Sequence, residues 1–155
     1  MPRPIDEPRK RDDWLSRIKS VEKEFHSMRL AANRLLGDVA RDPTILTTSN
    51  VQPASCRHAA DNLEGTYLIR LFAEFESGLR DFWVSIRHTH PQTQVLLASV
   101  GSRRQIQDQT RQNADRVRDY RNHLVHELHE PAAPVSIMDA RGFLCTYFSR
   151  LPPNW

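Results

Sequence analysis

Apolar residues recur along this chain in steps of three and four, and that period predicts helices almost throughout. The first stripe is Trp14, Ile18, Val21, Phe25, Met28, Ala32, Leu35 and Val39. Such spacing keeps one face of a helix apolar. Asp12 or Asp13 is available as its N-cap. Gly37 and Pro43 predict its end, because glycine suits a C-cap and proline cannot continue a helix. Residues 43–57 are rich in Thr, Ser and Pro and read as a loop. A second stripe, Leu63, Tyr67, Leu71, Phe75, Leu79, Phe82 and Ile86, predicts a helix from about His58 to His88, widened by Leu68, Phe72 and Trp83. Gly78 in its middle points to close approach of a neighbour, since glycine there costs about 1 kcal/mol relative to alanine.

A short apolar segment, 93–100, reads as a short helix that Gly101-Ser102 should break. The third long helix starts between 103 and 110 and runs to about Glu130, ahead of Pro131 and Pro134. Val117, Leu124 and Leu128 form its core face, with Tyr120 beside them. Ser136 is placed to cap a last helix whose Ile137, Met138, Ala140, Phe143, Leu144, Tyr147 and Phe148 turn inward. No stretch alternates as a strand, and no Asn-Gly or Asp-Gly hairpin signal occurs. The expected fold is therefore all-α: an up-and-down bundle of four main helices, with a short extra helix before the third long one. Residues 1–10, rich in Pro and charge, are expected to be a loose arm, and 11–155 a single domain.

Composition changes this picture little. Charged residues are 26% and apolar residues 39% of the 155-residue chain, ordinary values for a globular protein. No apolar run approaches the roughly 20 residues that span a bilayer, and the N-terminus has no apolar signal core. A cytoplasmic protein without a membrane partner is expected. Cys56 and Cys145 are too few and too far apart for a disulfide framework or a CxxC metal site.

Charge matters more for where it falls. Of the 22 Lys and Arg residues, only Lys10, Lys19 and Lys23 are lysine. Arginine is the better bidentate phosphate partner. Arg103, Arg104, Arg111, Arg116, Arg118 and Arg121 outnumber Asp108, Asp115 and Asp119 along the same stretch. They lead to the densest cluster of reactive side chains, Arg121-Asn122-His123-Leu124-Val125-His126. On an ideal helix Asn122, His126 and His129 share a face with Arg118 nearby, while Arg121 and His126 diverge by roughly 140°. An imidazole that titrates near neutrality and a permanent guanidinium suit RNA cleavage by internal transesterification. His126 would act as base or acid, Arg121 would hold the phosphate, and Asn122 would orient one or the other. This chemistry needs neither metal nor cofactor.

Arg121-Asn122-x-x-x-His126 resembles the R-x4–6-H motif of the HEPN superfamily, including the polar residue that often follows the Arg. The position of the motif late in the third long helix of a helical domain is similar too, as is the aromatic second helix, LIRLFAEFESGLRDFW, at 68–83. The resemblance implies a metal-independent endoribonuclease acting on RNA, in a prokaryotic toxin–antitoxin or defence system. It implies a homodimer with the motif at the interface, and an antitoxin or other partner protein. Arg121 and His126 would be catalytic and Asn122 supporting. Glu74 or Glu76 would help to position the Arg. Arg111, Arg116, Arg118 and His129 are weaker RNA-binding candidates.

Other readings of the same residues remain open. Local pairing of Asp119 with His123 and of His126 with Glu130 makes an ordinary polar helix face. A HEPN-like module that binds without cutting, for instance beside a nucleotidyltransferase, would carry the same motif. A metal site at His123, His126 and His129 is disfavoured, because these residues fan out around the helix and no HExxH pattern is present. The helices are too long for a helix-turn-helix DNA reader.

Overall fold

The computed structural model describes residues 11–126 and 132–155, all of whose regular structure is helical. The expected arm at 1–10, together with Leu128, His129, Glu130 and Pro131, lies outside the described residues. Helix α1 spans Arg11–Arg41, α2 Pro53–Arg87, α3 Thr93–Arg103, α4 Asp108–His126 and α5 Ile137–Phe148. A 3-10 turn at Pro43–Leu46 joins the first two. No described helix is long and apolar enough to cross a membrane.

The core is where the long stripes meet. Trp14, Ile18, Val21 and Phe25 of α1 pack on Leu68, Leu71, Phe72, Phe75, Leu79 and Phe82 of α2. Helix α5 closes the layer with Ala140, Leu144, Tyr147 and Phe148, and α4 adds Ala114 and Val117. Phe75 lies edge-on to both Tyr147 and Phe148, with ring centres 5.6 and 6.1 Å apart. That geometry places ring edges against ring faces. Tyr147 is fully buried, and its hydroxyl donates to the Leu97 carbonyl at 2.6 Å. Burial pushes its phenol well above the ordinary value.

Gly78 does what its position suggests. A methyl group there would sit 2.7 Å from the Phe148 ring and 3.0 Å from Trp14, so only glycine lets these rings meet the α2 backbone. Trp155 folds back onto the bundle, edge-on to Phe82 and Phe148, and its indole N–H donates to Asp81 at 2.7 Å. Ser136 caps α5 by accepting from the Asp139 amide at 3.1 Å. Glu64 on α2 accepts from the Ile137 amide at 2.9 Å, tying that helix start to the bundle.

Several boundaries and faces depart from the expectations. Asp12 and Asp13 lie inside the first turn of α1, where their charges favour the helix N-terminus, and neither is its cap. Gly37 is an ordinary helical residue, and α1 continues to Arg41. Helix α2 begins five residues before His58, at Pro53, whose fixed φ suits a first helical position. The loop is correspondingly shorter, with Asp42 capping the 3-10 turn through the Thr44 amide. His88, at φ 50°, supplies the left-handed C-cap of α2. Gly101 does not break α3, which runs on to Arg103. It is buried there because the Arg111 side chain crosses it, within 2.9 Å of where a methyl group would sit.

The α1 stripe is also not buried throughout. Met28 and Leu35 are 46% and 40% exposed, and Met138 on α5 is 57% exposed. The first two lie on the part of the α1–α2 hairpin that reaches past the shorter helices. There they line an open apolar groove of about 460 Å³ with Leu36, Val51, Cys56 and Leu63. At 31 and 35 residues, α1 and α2 are each roughly 50 Å long at 1.5 Å per residue, against 19 and 12 residues for α4 and α5.

Candidate functional site

Helix α4 sets the stage for the clustered polar side chains. Ala114 and Val117 bury its core face, while Tyr120 and Leu124 are half-buried. The helix runs antiparallel to α2: Arg121 lies over the Phe72 ring, at 5.8 Å, and Leu124 lies against Gly65. A methyl group at Gly65 would touch the Leu124 side chain at 3.4 Å.

Arg121 is therefore a fixed group. Its guanidinium rests on the Phe72 face and donates to the Asn122 side-chain oxygen at 3.0 Å. Its Nε is buried and has no hydrogen-bond partner. A half-buried guanidinium of this kind keeps unused hydrogen-bonding capacity. The face of α2 beside it carries a compact polar network. Glu76 Oε1 accepts from Arg80 at 2.6 Å and from the Thr93 hydroxyl at 2.6 Å. Arg80 also donates to the Pro91 carbonyl at 2.8 Å, so the network clamps the start of α3 to α2. Partial burial of Glu76 works to raise its pKa. The hydrogen bonds from Thr93 and Arg80, with the charges of Arg80 and Arg121, outweigh that and hold the carboxyl below its ordinary value.

That coupling separates the two candidate acids. Glu76 feels the Arg121 charge. Glu74 points to the other side of α2 and pairs with Arg17 of α1 at 2.9 Å. The 100° step of a helix puts residues two apart on nearly opposite sides.

The remaining candidates are distributed unevenly. Asn122 is half-buried and engaged with Arg121, while His126, one turn further on, is exposed. The structure brings Arg121 and Asn122 into contact, with Glu76 near enough for the Arg121 charge to help lower its pKa, and leaves His126 exposed at the surface. Arg118 is occupied by Asp115 and Asp119, both at 2.8 Å, and only 12% of its side chain is exposed. Arg111 lies across Gly101, 3.9 Å from Asp108, and Arg116 sits over the Phe143 ring at 5.6 Å. These three arginines engage protein groups. Of the basic approach read from the sequence, Arg118 is neutralised by its carboxylates, whereas Arg103, Arg104 and Arg116 are exposed and enter no ion pair among the described residues. His129 lies outside the described residues. His123 is half-buried, and its Nδ1 has no hydrogen-bond partner. Among the described residues, no three His, Cys, Asp or Glu side chains are placed to hold a metal ion.

Sequence reasoning missed Phe72, Arg80 and Thr93 as supports of the Arg121 region. A signal for one of them was present. Glu76 and Arg80 are four apart, the spacing of a helical ion pair, on the same side of α2. Thr93 is brought in by the chain reversal at 88–92, which no periodic pattern encodes. No protein-family model, curated protein or solved structure matches the chain at a significant level.

Proposed function

We propose that this protein is a metal-independent endoribonuclease of HEPN type, acting in a prokaryotic toxin–antitoxin or defence system. The observation that carries the reading is the state of Arg121. It is held by Asn122 and Phe72 within reach of the Glu76 charge, with the exposed imidazole of His126 five residues further along α4. A cation anchored in that way is preorganised for charge that develops on a phosphoryl group.

In the proposed reaction an imidazole takes the proton of an RNA 2′-hydroxyl. The 2′-oxygen attacks the adjacent phosphorus, the bond to the 5′-oxygen breaks, and a general acid protonates that leaving oxygen. The products are a 2′,3′-cyclic phosphate and a 5′-hydroxyl. Arg121 neutralises charge on the non-bridging oxygens. His126 is the proton-transfer group. The splay of Arg121 and His126 around α4 favours a site completed by the same residues of a second copy across a homodimer interface. Each copy would then contribute one of the two proton-transfer groups.

The test is cleavage of single-stranded RNA in the presence of EDTA. The wild-type protein should cut and leave cyclic-phosphate ends, and His126→Ala should abolish the cut. Wild-type protein that leaves a broad panel of RNAs intact would overturn the reading. One observation favours a second reading, a HEPN-like module that binds a partner such as an antitoxin or a nucleotidyltransferase without cutting. It is the open apolar groove lined by Met28, Leu35, Val51 and Leu63, a surface of the kind that partner proteins cover.

A further inference from the structure

At the ends of α2 and α3 lies a shallow cleft of about 520 Å³ formed by Trp83, Arg87, Ala98, Ser99, Ser102 and Arg103. The indole of Trp83 is half-buried, and its N–H donates to the Thr89 hydroxyl at 2.9 Å, which fixes the ring. Many arginines of this chain are taken up by carboxylates: Arg17, Arg41, Arg70, Arg80, Arg118 and Arg141 all form ion pairs. Arg87 and Arg103 are exposed, and among the described residues neither enters an ion pair. No acidic side chain lines the cleft. It therefore offers two uncompensated guanidiniums, two serine hydroxyls and an immobilised aromatic face.

That combination matches a nucleotide. Phosphate oxygens accept the forked donors of arginine, and a base stacks on an aromatic ring whatever its identity. The cleft also has a definite relation to the Arg121 region. Glu76, Arg80, Trp83 and Arg87 follow one another at spacings of four, three and four, so they share one side of α2. Glu76, at the head of this row, feels the charge of Arg121. From Glu76 to Arg87 the row extends about 16 Å at 1.5 Å per residue. A few nucleotides cover that length, at about 3.4 Å or more per nucleotide of strand.

We propose that this cleft is a binding subsite for single-stranded RNA. It seats one base on Trp83 and the adjoining phosphates on Arg87 and Arg103. The proposal rests on the ribonuclease reading of Arg121 and His126, and it places substrate affinity in a region apart from the chemistry.

The experiment measures binding of a fluorescent polyuridine RNA of about 12 nucleotides, a length in the range that single-strand-binding modules cover. Anisotropy is read in EDTA with the His126→Ala protein, so that the strand stays intact. Arg87→Ala with Arg103→Ala should lower the slope of log affinity against log salt by about 1.4, since each phosphate contact on a single strand contributes about 0.7. Trp83→Ala should weaken binding about tenfold, and Trp83→Phe should restore most of it, because the stacking face is kept. In the His126-intact protein the Arg87/Arg103 pair of changes should leave cleavage of a dinucleotide, too short to reach the cleft, at the wild-type rate. Cleft variants that bind the long RNA as tightly and with the same salt slope as their parent would overturn the subsite alone, provided the wild type cuts RNA. A parent protein that binds no RNA would overturn the ribonuclease reading together with the subsite.

Discussion

Glu74 and Glu76 are two residues apart, carry the same charge and each pair with an arginine, yet removing their charges should have very different consequences. Glu76→Gln keeps the shape of the side chain and removes the anion from a network that receives Arg80 and Thr93 on a single oxygen. The Glu76 and Arg80 side chains are 19% and 34% exposed, so water replaces little of what is lost. Hydrogen bonds to a charged group contribute about 1.5–3 kcal/mol against about 0.5–1.5 for neutral ones. Two such bonds weakened together give a loss of about 2 kcal/mol. For a domain of this size that is a fall of roughly 4–8 °C in Tm. Glu74→Gln removes a pair whose arginine is 46% exposed. Solvent screens it, and the expected cost is below about 1 kcal/mol.

Urea denaturation of the two variants beside the wild type measures this difference. Acid pH adds an independent check. The folded Glu76 carboxyl titrates below its ordinary value of 4.5, so its contribution is complete above that pH. The contribution is lost as pH falls through the lower folded value. The stability gap between wild type and Glu76→Gln should therefore be constant near neutrality and shrink below about pH 4.5. Activity should follow the same asymmetry. Loss of the Glu76 charge removes an anion whose field reaches Arg121, so on the proposed ribonuclease reading RNA cleavage should fall in Glu76→Gln and persist in Glu74→Gln. Equal losses of stability in the two variants, or a gap that widens in acid, would refute the assignment of Glu76 as the acid coupled to Arg121.

Two further outcomes follow from the geometry. Gly78→Ala would place a methyl group 2.7 Å from the Phe148 ring, and relief requires both Phe148 and Trp14 to shift. Calorimetry should show a destabilisation of about 1–3 kcal/mol, the usual cost of overpacking a core, and an unchanged or raised Tm would mean that the helices do not meet as described. Arg121→Ala and His126→Ala chains should each be inactive on RNA alone, and mixing them after co-refolding should restore part of the activity if each site draws on both subunits. Equal mixtures that form mixed dimers and remain inactive would count against the shared site.

What was legible in the sequence was what periodicity controls. The α2 stripe and the Gly78 contact followed from residues whose spacing repeats every helical turn, and Ser136 from a local capping preference. The α1 stripe marked the helix correctly and its burial only in part. Periodicity states which residues share a face, and not whether another helix reaches them. Met28 and Leu35 keep the spacing of Trp14 and Ile18, but α4 and α5 are too short to cover the whole hairpin. Helix ends were the weakest expectation. Gly37 and Gly101 both lie inside helices; Gly101 serves close packing beneath Arg111, whereas nothing packs within 4 Å of where a Gly37 methyl group would sit.

The candidate site divides along the same line. Its residues on α4 could be placed by rotation around a single helix axis, including the divergence of Arg121 from His126. What the sequence could not supply was the partner of each charge. A run of arginines at 111, 116 and 118 reads as a basic surface until Asp115, Asp119, Gly101 and Phe143 are seen to occupy them. Arg87 and Arg103 are exposed and enter no ion pair among the described residues; they are sixteen residues apart in sequence and share a cleft because the reversal at 88–92 lets α3 run alongside α2. Net charge along a segment thus overstates its capacity for phosphate, because local carboxylates and aromatic faces compete for the same guanidiniums. On the proposed ribonuclease reading, the cleft on α2 and α3 would add affinity for RNA while Arg121 and His126 on α4 supply the chemistry.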